Sequence, residues 1–205
     1  MPDRSEESMK NQILNNNEIN EMITGRTKGS ERGAAIIEMI SVLTIALILA
    51  SVSLPGISKT IQSYRGNGDV KTVSAELNLA RMRAAAEFTQ ARFNASVSGK
   101  TIAIQLYNKT STSFVTEGGT QKLSEGVTFG FGSITTPAGG QTTIAQSAQI
   151  VFNSRGIPVD STGTPTATNA IYLSNGSGQY YAVTVNASGL VNTWMYQGST
   201  WHKIS

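Results

Sequence analysis

The sequence has no cysteine and a single histidine among its 205 residues. Without cysteine there can be no disulfide, no thiol nucleophile and no thiolate metal site. The histidine, His202 in the terminal WHKIS, has no predicted carboxylate partner, so it reads as a surface or packing residue and not as a general base. No pairing of nucleophile and base is visible, and the chain is not expected to be an enzyme. Asp160 and Asn153 are two scattered oxygen ligands, too few for a calcium site, so neither a metal nor another cofactor is implied. The segment NASVSGKT at 94–101 ends like a phosphate-binding loop, but Asn94 stands where the first glycine is required and the order is helix before strand.

Charge is also scarce, at 14% of residues, and between Met39 and Ser58 it is absent. What fills that gap is a long apolar run. The 21 positions 34–54 at about 1.5 Å per residue make roughly 32 Å of helix, about one hydrocarbon thickness. One carboxylate, Glu38, lies inside the run, five residues after Gly33. Placing it in a membrane costs roughly 2.5–3.5 kcal/mol, so it calls for a partner or a task. The run begins after 33 polar residues, unlike an ordinary secretory signal. Arg26, Lys28 and Arg32 against Glu31 alone flank it on the N-terminal side, which orients the N-terminus toward the cytoplasm and predicts export of residues 56–205. Residues 1–33 hold five of the 16 basic and six of the 13 acidic side chains, leaving the remainder at a mild net +4.

Basic residues, Gly33, a small residue, Glu38 at the fifth position after the glycine and a long apolar helix together resemble the class III signal of type IV pilins and type II secretion pseudopilins. The resemblance implies cleavage after Gly33 by a prepilin peptidase, methylation of the new N-terminus at Ala34, and a helix kink at Pro55. It further implies that Glu38 sets register by pairing with the N-terminal amine of a neighbouring subunit. Its other implied partners are pilin or pseudopilin subunits, an inner-membrane assembly platform and membrane lipid. The first residue after the cut is Ala34 where phenylalanine is commoner, and the leader is long.

Beyond Pro55 the helix can resume through ISKTIQSYR until Gly66-Asn67-Gly68, which predicts a break, since glycine costs about 1 kcal/mol in a helix interior. Asp69 is a plausible N-cap. From there Val70, Val73, Leu77, Ala80, Ala84, Phe88, Ala91 and Ala95 recur every three or four residues and predict an amphipathic helix. Arg81, Arg83 and Arg92 lie on other faces and read as a solvated surface rather than a nucleic-acid site.

After Gly99 the chain turns rich in Thr, Ser, Gly and β-branched residues, with strands predicted at 101–107, 113–116, 127–131, 148–153, 170–174, 179–186, 190–197 and 200–204. A flexible loop is predicted between Gly132 and Ser147, and a hairpin turn at SNGSG, 174–178. Four Asn-x-Ser/Thr sequons, at Asn94, Asn108, Asn175 and Asn186, are adequately explained by chance.

The order IVFNSRGIPVD, AIYLSNGSGQYYAVTVNASGLVNTW, with VSAELNLARMRAAA before it, is similar to the GspH/FimT family of minor pilins and pseudopilins. That similarity implies a minor subunit of a pilus or secretion pseudopilus, or alternatively a DNA-binding minor pilin of natural transformation. Some members that take up DNA carry Gly-Arg-x-Arg at the closing turn; here Gly189-Leu190-Val191-Asn192 lacks both arginines, which argues against nucleic acid. Trp194, Tyr196 and Trp201 are either a packed hairpin or an aromatic surface for a partner.

The expected fold is α+β: a long N-terminal hydrophobic helix continuing into an amphipathic helix packed on an antiparallel β-sheet head. The expected organisation is a leader at 1–33, a transmembrane and filament-core helix at 34–65, the amphipathic helix at 69–98 and a β-rich head at 99–205. The expected location is the bacterial inner membrane, crossed once, with the head periplasmic, and the filament or cell surface after assembly.

Overall fold

The computed structural model describes residues 4–204; the side chains of residues 4–7, 21, 23–32, 34 and 52–55 lie outside the described residues. Arg26, Lys28, Arg32, Ala34 and Pro55 are among these, so the kink expected at Pro55 falls there too. The chain divides into two units, Met1–Gly56 and Ile57–Ser205. The first is the N-terminal part of helix α1 (Arg4–Ala86), and the second holds its remainder together with ten strands.

The strands are β1 (Ala91–Ser96), β2 (Thr101–Asn108), β3 (Ser113–Lys122), β4 (Thr128–Phe129), β5 (Gln149–Phe152), β6 (Pro158–Val159), β7 (Asn169–Ser174), β8 (Tyr180–Val185), β9 (Val191–Gln197) and β10 (Thr200–Lys203). They form two antiparallel sheets, in the orders β3-β2-β1-β5-β6 and β10-β9-β8-β7-β4. The expected α+β class holds. Eight of the ten strands coincide with predicted ones.

Helix α1 ends at Ala86, so the amphipathic helix expected to continue to residue 98 is corrected. Its last four-residue step is the strand β1, where Ala91, Phe93 and Ala95 are buried and Arg92, Asn94 and Ser96 are half-buried. A spacing of four fits a helical period of 3.6 and a strand period of two alike, so Ala91 and Ala95 do not discriminate. Register does: Phe93 pairs Ile104 on one side and Ile150 on the other. Val70, Val73, Leu77, Ala80 and Ala84 of α1 pack with Phe93, Ile104 and Phe152 of one sheet and Ile171, Leu173, Tyr181 and Val183 of the other into one core. Each large side chain so buried contributes roughly 1.5–3 kcal/mol.

The break expected at Gly66-Asn67-Gly68 is absent, since α1 runs through it. Gly66 is there because a β-carbon at that position would stand 2.6 Å from Cε2 of Tyr181 and 3.2 Å from Cβ of Asn175. The Tyr181 hydroxyl donates to the Ser63 carbonyl one turn earlier (3.3 Å), and burial pushes that hydroxyl's pKa up. Tertiary packing thus overrides the local cost of glycine. Asp69 is no N-cap either; its buried carboxylate accepts from the Ser124 backbone N–H (2.8 Å) and hydroxyl (2.9 Å).

Three turns between strands are built alike. Asn153, Asp160 and Asn186 each accept, at the side-chain Oδ1, the backbone N–H groups two and four residues on. Each is followed at the third position by a glycine with φ of 71°, 85° and 79°, respectively, in the left-handed region that favours glycine. The Oδ1 atoms of Asn153 and Asp160 are therefore engaged by the turns themselves. Hydrogen bonding from Thr162 and Thr164 also lowers the Asp160 pKa. Asn175 caps the 174–178 turn in the same way through Ser177 and Gln179, and it is buried.

The two helix glycines should respond oppositely to alanine. Gly66→Ala drives a methyl into Tyr181 and should destabilise the head by about 1–3 kcal/mol. Gly68, whose added β-carbon meets nothing within 4 Å, should gain about 1 kcal/mol from Gly68→Ala. Urea unfolding of the two variants checks the signs; stabilisation by Gly66→Ala would mean that the ring yields freely.

Candidate functional site

In the first unit, every side chain from Ala35 to Ser51 is exposed. Ile37 and Met39 are more than 70% exposed, and Ile36, Ile40, Val42, Leu43, Leu47 and Leu49 are about as open. A helix apolar all round has no face suited to water. Its hydroxyls turn inward: Ser41, Thr44 and Ser51 donate to the carbonyls of Glu38, Ile40 and Ile48 at 2.7–2.8 Å. That bonding hides their polarity from an apolar surrounding. The segment is long and apolar enough to cross a membrane, by length and composition. Glu38 is the exception on this surface: it borders the apolar strip of Ala35, Met39, Val42 and Ala46, and its carboxylate has no partner among the described residues. Gly33 is exposed one and a half turns before it.

Two solved structures of the minor pseudopilin EpsH from the type 2 secretion system of Vibrio cholerae are similar to this chain. They share 13% and 12% identity over 63% of this chain, covering 95% and 92% of their own, with TM-scores of 0.43 and 0.42. No family model matches the chain, and no curated protein matches it.

In the second unit, α1 bears a further apolar surface that periodicity of the buried residues does not disclose. Ile57, Ile61, Tyr64, Ala75, Leu79 and Met82 recur at the three- and four-residue steps of one helix face. At about 100° per residue that face lies opposite Val70, Val73 and Leu77. These side chains are exposed, Tyr64 by 81% and Met82 by 61%. Gly68 and the exposed Lys71 interrupt this face between Tyr64 and Ala75. The signal is present in the sequence as a second apolar stripe interleaved with the first.

Trp194, Tyr196 and Trp201 lie together on the face of the second sheet turned away from α1. Tyr180, Tyr196 and Trp201 are register partners across β8, β9 and β10, with Tyr196 and Trp201 ring centroids 5.1 Å apart. All three named rings are half-buried. Trp194 Nε1–H donates to Thr184 Oγ1 (2.9 Å), and Trp201 Nε1–H donates to the Thr136 carbonyl (2.8 Å). Tyr172 beneath them accepts the Ala138 N–H (3.2 Å), and burial raises its pKa. The loop 132–147, expected to be flexible, is thus held down, with Ile134 and Ala138 buried. Among the arginines, Arg83 pairs with Glu117 and Glu87, Arg81 lies against Gly156 and Gly189, and Arg92 sits on β1 with its guanidinium 4.2 Å from the Phe114 ring centre. His202 is exposed beside Thr200. Among the described residues, no three carboxylate or histidine groups converge on a metal position.

If the outer helix stripe meets another subunit, Met82→Glu should leave the unfolding temperature of the head nearly unchanged, within about 0.5 kcal/mol for a surface site. Recovery of the variant with partner subunits after mild shearing should fall several-fold. Wild-type recovery would remove the stripe from any interface.

Proposed function

We propose that the chain is a minor pilin or pseudopilin: a structural subunit, not an enzyme, of a type IV pilus or type II secretion pseudopilus. The observation that carries this reading is Glu38, a carboxylate with no partner among the described residues on a segment, 35–51, otherwise apolar all round, five residues after Gly33. A soluble protein would shed such a surface, and a simple membrane anchor would shed the charge.

The chemistry follows from the pair of features. Hydrolysis of the Gly33–Ala34 bond by a prepilin peptidase frees an amine at Ala34, which the same enzyme methylates without removing its positive charge. In an apolar filament core, an ammonium and a carboxylate left separate are strongly penalised, whereas a matched pair is tolerated. Glu38 of one subunit against the amine of a neighbour therefore acts as a register device. The N-terminus starts in the cytoplasm, the head lies outside the inner membrane, and the assembly platform extracts the subunit into the filament. The helix stripe at Tyr64 and Met82 supplies a second contact, with the exposed edges of Trp194, Tyr196 and Trp201 as a further partner surface. DNA uptake is not advanced, because residues 190–192 offer no cation for phosphate.

Gly33→Leu should leave an unprocessed precursor in the membrane, about 3.5 kDa heavier given 21.7 kDa for 205 residues. A mature-sized band from this variant would move the cut elsewhere. Glu38→Ala should insert and be cleaved as wild type, since losing the charge eases insertion, yet enter sheared filaments poorly. Glu38→Gln separates ion pairing, in which case it behaves as Glu38→Ala, from hydrogen bonding, in which case it behaves as wild type. Full incorporation of Glu38→Ala would leave the carboxylate without an assembly role.

A further inference from the structure

Arg92 has an unusual position for a cation. It projects from β1, an interior strand, onto the outer face of the first sheet, where it is half-buried. Nε–H donates to Gln105 Oε1 (2.8 Å) and Nη1–H to Gln149 Oε1 (3.2 Å), on the strands either side. Phe114 lies 4.2 Å from the guanidinium carbon, and Gln105 is itself tied to Thr116 (3.2 Å). The fork is thereby held in one plane, yet no carboxylate pairs with it among the described residues, and Nη2 has no acceptor there. Burial lowers its pKa.

The guanidinium opens on a groove of about 490 Å³, whose other wall is Asp160, Ser161, Thr166 and Asn169. Asn169 Nδ2 is buried and has no hydrogen-bond partner. That amide nitrogen is closed off from the groove, so the idle donor that a ligand can reach there is the Arg92 guanidinium. Planar guanidinium forks match planar oxyanions.

We propose that this groove binds a carboxylate-bearing ligand, anchored by Arg92. Carboxylate is favoured over phosphate because Asp160 lines the same groove and stays ionised, which opposes a dianion more than a monoanion. The site lies on the head and is independent of the filament reading, since nothing in it involves Gly33, Glu38 or the helix stripe.

The test uses the full chain in detergent micelles and the amidated peptide Gly-Gly-Gly-Glu carrying an uncharged nitrobenzoxadiazole label at its N-terminus, with Gly-Gly-Gly-Gln labelled in the same way as control, read by fluorescence anisotropy. The acidic peptide should bind and the neutral one should not. Arg92→Lys should weaken binding about 10-fold, because a point charge replaces the fork, and Arg92→Gln should abolish it. Asp160→Asn keeps the turn acceptor and removes the competing charge, so it should tighten binding about 3-fold. This variant tests the site even where Arg92→Gln fails to fold. Displacement by acetate as well as by unlabelled peptide would identify a small organic acid, and displacement by peptide alone a protein-borne carboxylate. Equal binding of both peptides, insensitivity to Arg92→Lys and Asp160→Asn, or stronger displacement by inorganic phosphate than by either carboxylate would overturn the proposal.

Discussion

Helix α1 carries more apolar surface than the head can cover, and most of the molecule's design stems from that excess. Residues 35–51 are exposed and apolar on all sides, while the part from Ile57 to Ala86 gives one face to the core and leaves the opposite face, from Ile57 through Tyr64 to Met82, uncovered. Water is a poor solvent for either surface. Both surfaces are suited to an apolar surrounding, and Glu38 is the one charged group on the first.

The head in turn holds its segment of helix firmly. Core burial supplies the energy, and polar contacts at the margins supply orientation. Asp69 is satisfied by two donors from Ser124, Arg65 reaches Glu125, Glu76 receives Gln121, and Arg83 reaches Glu117 on β3. The exposed ion pairs among these are worth little individually, but together with Gly66 seated on Tyr181 they define which helix face is turned inward. The outward stripe is then presented in a defined orientation on the head. On the far side of the head, Trp201 Nε1–H donates to the Thr136 carbonyl of the loop 132–147.

Local features are the ones legible in the sequence. The apolar run, its length, its charge flanks, the spacing of Gly33 and Glu38, and eight strands bounded by turn residues all depend on neighbours in the chain. Even the repeated Asn/Asp-x-x-Gly turns at 153, 160 and 186 are legible in principle, because one side chain and one glycine specify each.

Where the structure departs from the sequence reading, a tertiary or cross-strand partner is involved each time. β1 reads as helix because Ala91 and Ala95 suit both periods, and its pairing with β5, from Ala91 with Phe152 to Asn94 with Gln149, decides the matter. β6 is two residues long and exists only through Val151 and Phe152. Gly66 reads locally as a helix breaker, and only the ring of Tyr181, more than a hundred residues away, turns it into a packing requirement. Likewise Arg92 reads as a solvated charge until β2, β5 and Phe114 close around it. The sequence by itself determined which segments are apolar, charged or turning, since those are properties of single residues and their near neighbours. Which faces are covered, and by what, was decided by tertiary structure, because burial is a relation between surfaces that the chain brings together only on folding.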